Sequence, residues 1–338
     1  MDFQLSDDQR ALRSGMRDLL GAVFDRDRLR AAVDRGGALD RRLWRELGAA
    51  GFFALRLPEE TGGVGLGLPE AVLLFEEAGR ALLPGPLVAT HLAAGLVKGA
   101  AEGEAVVTAV DGRLPVAHLA AADAVLVGAE ELTGEALRDF VAAARPVRST
   151  DPLTPLHRAP ADGERAPAAT ERTPAYAERL RYEAALLTAA EQLGSAARTT
   201  EAAVQHAGDR EQFGSPIGSF QAVKHLCADM LARTEPARAA VYAAAVTGDP
   251  VEIAAAKLLA DEAAVRNARD CLQIHGGMGF TWEADVHLHL KRAWLRAASW
   301  LTGARAEELL AAALGAARPL PGSSAAYGPG APEAGGGG

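Results

Sequence analysis

Asp209-Arg210-Glu211-Gln212-Phe213-Gly214, running on to Phe220-Gln221, and Gln273-Ile274-His275-Gly276-Gly277-Met278-Gly279-Phe280 are the two stretches on which the fold turns. Each lies where a long helical pattern of apolar residues stops or restarts. The spans 177–208, 217–246, 250–274 and 284–314 around them read as helices, the last broken near Thr302-Gly303. Four antiparallel helices of this length predict a bundle. The first stretch sets a fixed cation and an aromatic ring at a helix end. The second sets an amide side chain before glycines that leave the backbone bare. That equipment suits a diphosphate and a planar ring system.

Working outward, Ser6-Asp7-Asp8-Gln9 has the form of a capping box, followed by Leu12, Met16, Leu19, Leu20 and Val23 at helical spacing. Further helices are predicted over 40–50, 68–82 and 87–98, so residues 1–102 form a helical domain. Residues 103–174 change character. Short runs at 104–110, 113–118 and 124–127 have strand-like content, punctuated by Asp111-Gly112 and Gly128. Six prolines between Pro146 and Pro174 argue against helix there. A small, irregular β-domain is predicted. Residues 175–316 hold the bundle, and 317–338, rich in Gly, Pro, Ala and Ser, read as a disordered tail. The fold class is α+β, mainly α.

The 338 residues are 49% hydrophobic, much of it alanine, with 5% aromatics, which suits closely packed helices better than a β-sandwich. A formal charge of −9 argues against a nucleic-acid surface. Cys227 and Cys271 are the only cysteines, so a disulfide framework is not expected and both are assigned to buried packing. The acidic N-terminus lacks a signal-peptide apolar region, and no run of about 18 uncharged apolar residues occurs. A cytoplasmic protein without a membrane span is the expectation. His287 and His289 point to different sides of a helix and share no metal; with His275 they read as surface or interface histidines.

The order of domains, and five motifs in sequence, resemble the acyl-CoA dehydrogenases. The motifs are Leu5-Ser6-Asp7-Asp8-Gln9, Leu57-Pro58-Glu59-Glu60-Thr61-Gly62-Gly63, Arg210-Glu211-Gln212-Phe213-Gly214, Phe220-Gln221-Ala222-Val223-Lys224 and Gln273-Ile274-His275-Gly276-Gly277-Met278-Gly279. The resemblance covers residues 1–315 and implies an FAD lying between two subunits. It implies that Arg210 pairs with the diphosphate of an FAD bound mainly by a neighbouring chain. Phe213 then packs near the adenosine half or the flavin's edge, and Gln221 reaches the same end. Gln273, Gly276 and Gly277 receive the ADP portion. Taken singly, Arg210 is equally a solvated helix-end cation, Phe213 plain core, and Gly276-Gly277 a helix C-cap. The implied reaction dehydrogenates an acyl-CoA thioester between its α and β carbons. A carboxylate takes the α proton while the β hydrogen leaves as hydride to the flavin, and an electron-transfer flavoprotein is the implied acceptor.

Two departures from the family pattern stand out. Where many members carry a glutamate base in a Tyr-Glu-Gly-Thr segment, this chain reads Ser299-Trp300-Leu301-Thr302. An indole cannot abstract a proton, so Trp300 is assigned to packing in the emptied pocket. Relatives with the base at the start of the first bundle helix place it at Ala184 here, with Glu183 about 100° around the helix. Glu183 is read as a surface carboxylate, and Glu191 as having an i,i+4 or helix–helix partner. The β-domain also lacks the Thr-Glu-Pro…Gly-Ser-Asp and Trp-Ile-Thr/Ser segments that wrap the flavin ring in the family. The catalytic residue is therefore left open.

This combination resembles one subunit of heteromeric (α2β2) acyl-CoA dehydrogenases of bacterial steroid side-chain catabolism, whose partner is a paralogous chain. The stretches Leu82–Thr90 and Leu288–Ala293 also look like those chains. Two rival readings stay open: a self-sufficient homodimer with a base such as Glu183, and a flavin-free scaffold or acyl-binding partner.

Overall fold

The computed structural model describes residues 4–128, 130–159 and 174–316. At the N-terminus, the Ser6 hydroxyl accepts from the Gln9 N–H and the Gln9 amide oxygen accepts from the Ser6 N–H, both at 3.1 Å. That reciprocal cap opens α1 (Asp7–Val23). Helix α2 (Arg26–Asp34), capped by Asp25, was not predicted from the sequence. It buries only Leu29 and Ala32 among Arg and Asp side chains, too narrow an apolar stripe to register as periodicity. Asp40 caps α3 (Arg41–Ala49).

Helix α4 (Leu68–Arg80) buries every residue from Ala71 to Gly79 and forms the spine of the N-terminal unit. The predicted helix over 87–98 is a correction: α5 (Leu87–Leu92) ends early, and the chain leaves through Gly95 and Gly99, the latter at φ 85°. Trp44, Phe53, Phe52 and Phe75, in that spatial order, fill the core, with ring centroids 4.8 to 5.3 Å apart between successive members.

The middle segment carries more structure than its sequence announces. Strands β1 (Val107–Val110), β2 (Val116–Ala117) and β3 (Ala124–Val127) fall within predicted runs, whereas β4 (Glu130–Leu132), helix α6 (Gly134–Ala143), β5 (Arg145–Val147) and β6 (Leu156–Arg158) were not foreseen. Two three-stranded sheets result, β1-β3-β4 and β2-β6-β5. The β1–β3 pair is parallel, with Val107 opposite Ala124, and the other pairs are antiparallel. Thr108 ties the sheets together by donating to the Ala117 carbonyl at 2.6 Å. Thr90 on α5 exchanges two hydrogen bonds with Val107, fixing the sheets to the N-terminal unit.

Four long helical tracts follow. Helix α7 (Pro174–Asp209) leads into the hairpin β7 (Glu211–Gln212) and β8 (Ser215–Pro216), then α8 (Gln221–Thr247), α9 (Pro250–His275), α10 (Val286–Ala298) and α11 (Gly303–Ala316). The break between α10 and α11 spans Ser299–Thr302, beside the predicted interruption. Helix α7 is buried almost throughout from Ala184 to Ala197, packed between α4 and α9. The mainly α, α+β fold class holds. Among the described residues no helix is long and apolar enough to cross a membrane. The tail and residues 160–173 lie outside the described residues.

Two residue assignments change. Cys271 is buried but Cys227 is only half-buried. His287 and His289 are buried rather than superficial, because α10 inserts into the bundle and shields both rings. The His289 Nδ1 lies 2.7 Å from the Ser195 hydroxyl.

Candidate functional site

Two regions concentrate the chemistry. The first lies at the ends of α7 and α9. Arg210 follows the last residue of α7, and its carbonyl accepts from the Ile217 N–H at 2.7 Å, closing the base of the β7–β8 hairpin. At the hairpin tip Phe213 and Gly214 both have positive φ, 54° and 77°. Those values match the turn that fits the right-handed twist of the flanking strands. A phenylalanine in that conformation is strained, and such strain clusters at functional sites. Phe213 is 91% exposed, which rules out the plain core reading. Its ring meets Phe220 edge-on at 6.2 Å.

Phe213 and Phe220 line a cleft of about 360 Å³ with Ile217, Val223, Ile274 and Gln273. The structure thus brings Phe213 and Gln273 together from different elements. Arg210 and Gln221 stand beside this cleft without lining it, and the Gln221 amide lies 3.0 Å from His225 Nε2. The Arg210 guanidinium is exposed and has no ion pair among the described residues.

Gly276 caps α9 at φ 61°, ψ −144°, a backbone state open in practice to glycine alone. The helix-cap reading is therefore correct for Gly276. Space is also open there: an added Cβ at Gly276 or Gly277 would meet no atom within 4 Å. Met278, Phe280 and Trp282 extend this surface and are each more than half exposed. An imidazole pair, His206 over His275 at 4.0 Å, lies against the same helix ends.

These residues fit the nucleotide end of a dinucleotide cofactor. An exposed guanidinium meets the need of a diphosphate, bare glycine backbone admits close approach, and an aromatic-lined cleft takes a planar ring.

The second region lies where the sheets, the start of α7 and the α10–α11 break converge. An outer cavity of about 640 Å³ is walled by Val110, Leu126, Leu180, Tyr182, Trp300 and Leu301, among others. A smaller cavity of about 150 Å³ adjoins it, and the two share Ala109, Asp111 and Trp300. Trp300 has φ 63° and is held at both of its peptide groups. Its N–H donates to Asp111, its carbonyl accepts from Arg181 Nε at 2.7 Å, and Arg181 Nη2 donates to Asp111 Oδ1 at 3.1 Å. Burial pushes the Asp111 carboxyl up, and the Trp300 N–H and Arg181 partly offset this.

The smaller cavity is backed by buried ion pairs. Arg296 donates to Glu191 at 2.7 Å, Arg292 pairs with Asp151, and Lys257 pairs with Asp261 at 2.5 Å. Of the two partners expected for Glu191, i,i+4 or on another helix, the structure has the second. Burial pushes its carboxyl up and pulls Arg296 down to about 10, with their mutual attraction opposing both shifts. Glu183 is not a surface carboxylate: it accepts from Arg56 at 2.8 Å, lies 3.5 Å from Arg179, and keeps 14% of its side chain exposed. It lines neither cavity. Ala184, the alternative base position, is fully buried.

Asp111 was missed as a site residue because Asp-Gly reads as turn punctuation; only its placement against Trp300 reveals it. The outer cavity's other carboxylate is Glu178, exposed on the first turns of α7. The smaller cavity, at 150 Å³, falls below the roughly 300–1,000 Å³ usual for ligand pockets. The 640 Å³ cavity lies within that range.

Comparison with known proteins assigns residues 6–102 to the acyl-CoA dehydrogenase N-terminal domain and residues 175–313 to the acyl-CoA dehydrogenase C-terminal domain. Acyl-CoA dehydrogenase IpdE2 of Mycobacterium tuberculosis is 36% identical over 304 residues, spanning 85% of this chain and 91% of that protein. The chain belongs to the acyl-CoA dehydrogenase family. Acyl-CoA dehydrogenase FadE34 of the same organism is also 36% identical, over 78% of this chain and 42% of that longer protein. Among solved structures, the ChsE4-ChsE5 complex from Mycobacterium tuberculosis contains a chain that superposes with a TM-score of 0.81 at 24% identity. That match covers 94% of this chain and 100% of the other. This acyl-CoA dehydrogenase chain is thus an oxidoreductase family member that carries Trp300, not a carboxylate, in the break between α10 and α11.

Proposed function

We propose that this chain is one subunit of a heteromeric, FAD-dependent acyl-CoA dehydrogenase that introduces an α,β double bond into an acyl-CoA thioester. The carrying observation is the Arg210–Phe213 hairpin: a cation without an ion pair among the described residues and a strained, 91% exposed ring project from the surface together. A side chain held so has little use in an isolated chain and fits a cofactor seated against a neighbour. Arg210 binds the diphosphate, Gln221 and Phe213 steady the nucleotide beside it, and Gln273, Gly276 and Gly277 accept the ADP portion. Exposed Met278, Phe280 and Trp282 continue the same surface toward a paralogous subunit. Bound FAD supplies the hydride acceptor.

Trp300 and the ion-paired Glu183 favour a partner that provides the base. The outer cavity takes the thioester of this chain's own site. Its wall of Val110, Leu126, Leu180 and Tyr182 suits an acyl chain. The similarity to the two-protein ChsE4-ChsE5 complex supports the heteromeric reading, and steroid side-chain or fatty acyl thioesters are the proposed substrate class. A cytoplasmic site of action and an electron-transfer flavoprotein as acceptor complete the proposal.

The test is flavin content. Arg210→Ala lowers the FAD retained by the purified assembly, read from visible absorbance against protein, while leaving assembly size unchanged. Unchanged flavin stoichiometry in that variant removes Arg210 from its role. A chain that is yellow and turns over a thioester alone would favour the homodimeric alternative; one colourless with and without a paralogue would favour the scaffold.

A further inference from the structure

We infer that the smaller cavity is a binding site for a carboxylate, held by Arg292, Arg296 and His118. The inference stands apart from the thioester reading of the outer cavity, because none of these three residues lines that cavity.

Arg292 and Arg296 are four residues apart on α10, so their side chains share a face of the helix. Both are buried, at 5% and 6% exposure, and each guanidinium is only partly used. Arg292 pairs through Nε with Asp151 and donates from Nη1 to the Leu83 carbonyl at 3.2 Å, but its Nη2 has no partner among the described residues. Arg296 donates from Nη2 to Glu191 at 2.7 Å, and its Nη1 is likewise unpartnered. His118, 2% exposed, lines the same cavity, and its Nδ1 has no partner there either. A buried donor left without an acceptor destabilises a fold, so three around one cavity point to a ligand that accepts.

The donors define its chemistry. A guanidinium carries N–H groups only, so the ligand must present acceptor oxygens. Burial lowers the His118 imidazole to about 3, which leaves the ring neutral near pH 7 with a single N–H. With that proton on Nδ1, His118 is the third donor. Two like charges on one helix face repel. Burial, with Arg292 adding to it, pulls Arg296 down to about 10 although Glu191 opposes the shift. A carboxylate has two oxygens to bridge the free guanidinium arms with charge-assisted bonds, and its charge relieves the repulsion. A neutral carbonyl would leave that repulsion in place. The carboxylates on the other walls are already engaged, Asp111 with the Trp300 N–H and Arg181, and Glu191 with Arg296. At about 150 Å³ the cavity admits a group of a few heavy atoms. The carboxylate arrives either as a free small acid or as the far end of an acyl chain, since the two cavities adjoin at Ala109, Asp111 and Trp300.

The test is an NMR titration of the full chain with isotope-labelled acetate in carboxylate-free buffer. Calorimetry with hexanedioyl-CoA against hexanoyl-CoA separates the two sources. His118→Phe removes one donor at similar side-chain volume and takes no partner from another buried group. Arg296→Lys keeps a positive charge facing Glu191 and deletes the unpartnered arm. A saturable acetate response is expected in the wild type, weakened about tenfold in each variant, the scale of one hydrogen bond to a charged group. Hexanedioyl-CoA binding tighter than hexanoyl-CoA, with the advantage lost in His118→Phe, identifies the ligand as a carboxylate on an acyl chain. Acetate saturation without that advantage identifies a free acid. The site is overturned if acetate does not saturate and the dicarboxyl thioester is not preferred. It is equally overturned by saturation that both variants leave intact, the mark of an adventitious surface contact. Acetate saturation in a chain that binds no CoA thioester would remove the thioester reading of the outer cavity and leave this site standing.

Discussion

Gly79 and Gly194 bring α4 and α7 into backbone contact. A Cβ on Gly194 would lie 1.8 Å from the Glu76 carbonyl oxygen, and one on Gly79 would lie 2.0 Å from that of Glu191. The approach fixes the N-terminal unit against the bundle at the level of the Glu191–Arg296 pair. It therefore sets where α7 stands relative to both cavities. Because the clash is with backbone, no rotamer change can relieve it.

Gly194→Ala is accordingly expected to cost about 3 kcal/mol, the upper range for overpacking a filled interior. Chemical denaturation of the full chain measures this. A loss under about 0.5 kcal/mol, the scale of neutral surface changes, would mean that the helices separate without penalty.

Gly276 and Gly277 separate conformational from binding roles. Gly276→Ala forces a side chain into a glycine-only backbone state and should cost about 1–3 kcal/mol. Gly277 has an ordinary φ and open space for a Cβ, so Gly277→Ala should leave the denaturation midpoint unchanged. It should nonetheless reduce flavin content if the nucleotide backbone passes there. Full flavin occupancy in a stable Gly277→Ala assembly would move the ADP portion elsewhere.

Acid should weaken the fold well above the carboxylate range. Burial, aided by nearby arginines, lowers the His118 and His289 imidazoles to about 3 from an ordinary 6.5, and Arg56 helps burial lower His91 to about 4. Between those values the unfolded chain binds protons that the folded chain refuses. Stability is therefore full above pH 6.5 and falls as pH drops below it, by up to about 1.4 kcal/mol per pH unit for each ring. His289→Asn should shrink the stability difference between pH 7.5 and 5.5 by about 1.4 kcal/mol. An unaltered pH dependence would show that the ring takes up its proton as readily in the folded chain as in the unfolded one.

Lys257 is fully buried, donating to Asp261 at 2.5 Å and to the Arg296 carbonyl at 3.0 Å. Burial lowers its ammonium and raises Asp261, and each opposes the shift in the other. Lys257→Met strands the carboxylate and should cost about 3–5 kcal/mol, whereas Lys257→Met with Asp261→Leu should cost less than the single change. Equal losses in both would place the energy in packing instead of charge.

Much of the helical architecture was legible in the chain. Ser6 and Gln9 announce the first cap, and the bundle spans follow from apolar spacing sustained over many turns. Helix α2 escaped because charged residues dominate it, and α6 because a short helix among short strands offers too few turns for periodicity to emerge. The strands β4 to β6 were equally hidden: three-residue strands have no pattern to read. The two motif stretches were visible as helix-end chemistry, but the sequence left Phe213 free to be core, and only the hairpin's left-handed tip exposes it.

The sequence by itself determined where the long helices run, how the first is capped, and which residues stand at their ends, because caps and helical periodicity are interactions among near neighbours. Tertiary structure alone decided that Asp111 faces Trp300 across 189 positions, that Arg292 meets Asp151 across 141, and that Glu183 is committed to Arg56. Those pairings depend on how three parts of the chain dock, and docking is fixed by shape and burial, such as the contact at Gly79 and Gly194, which no local pattern encodes.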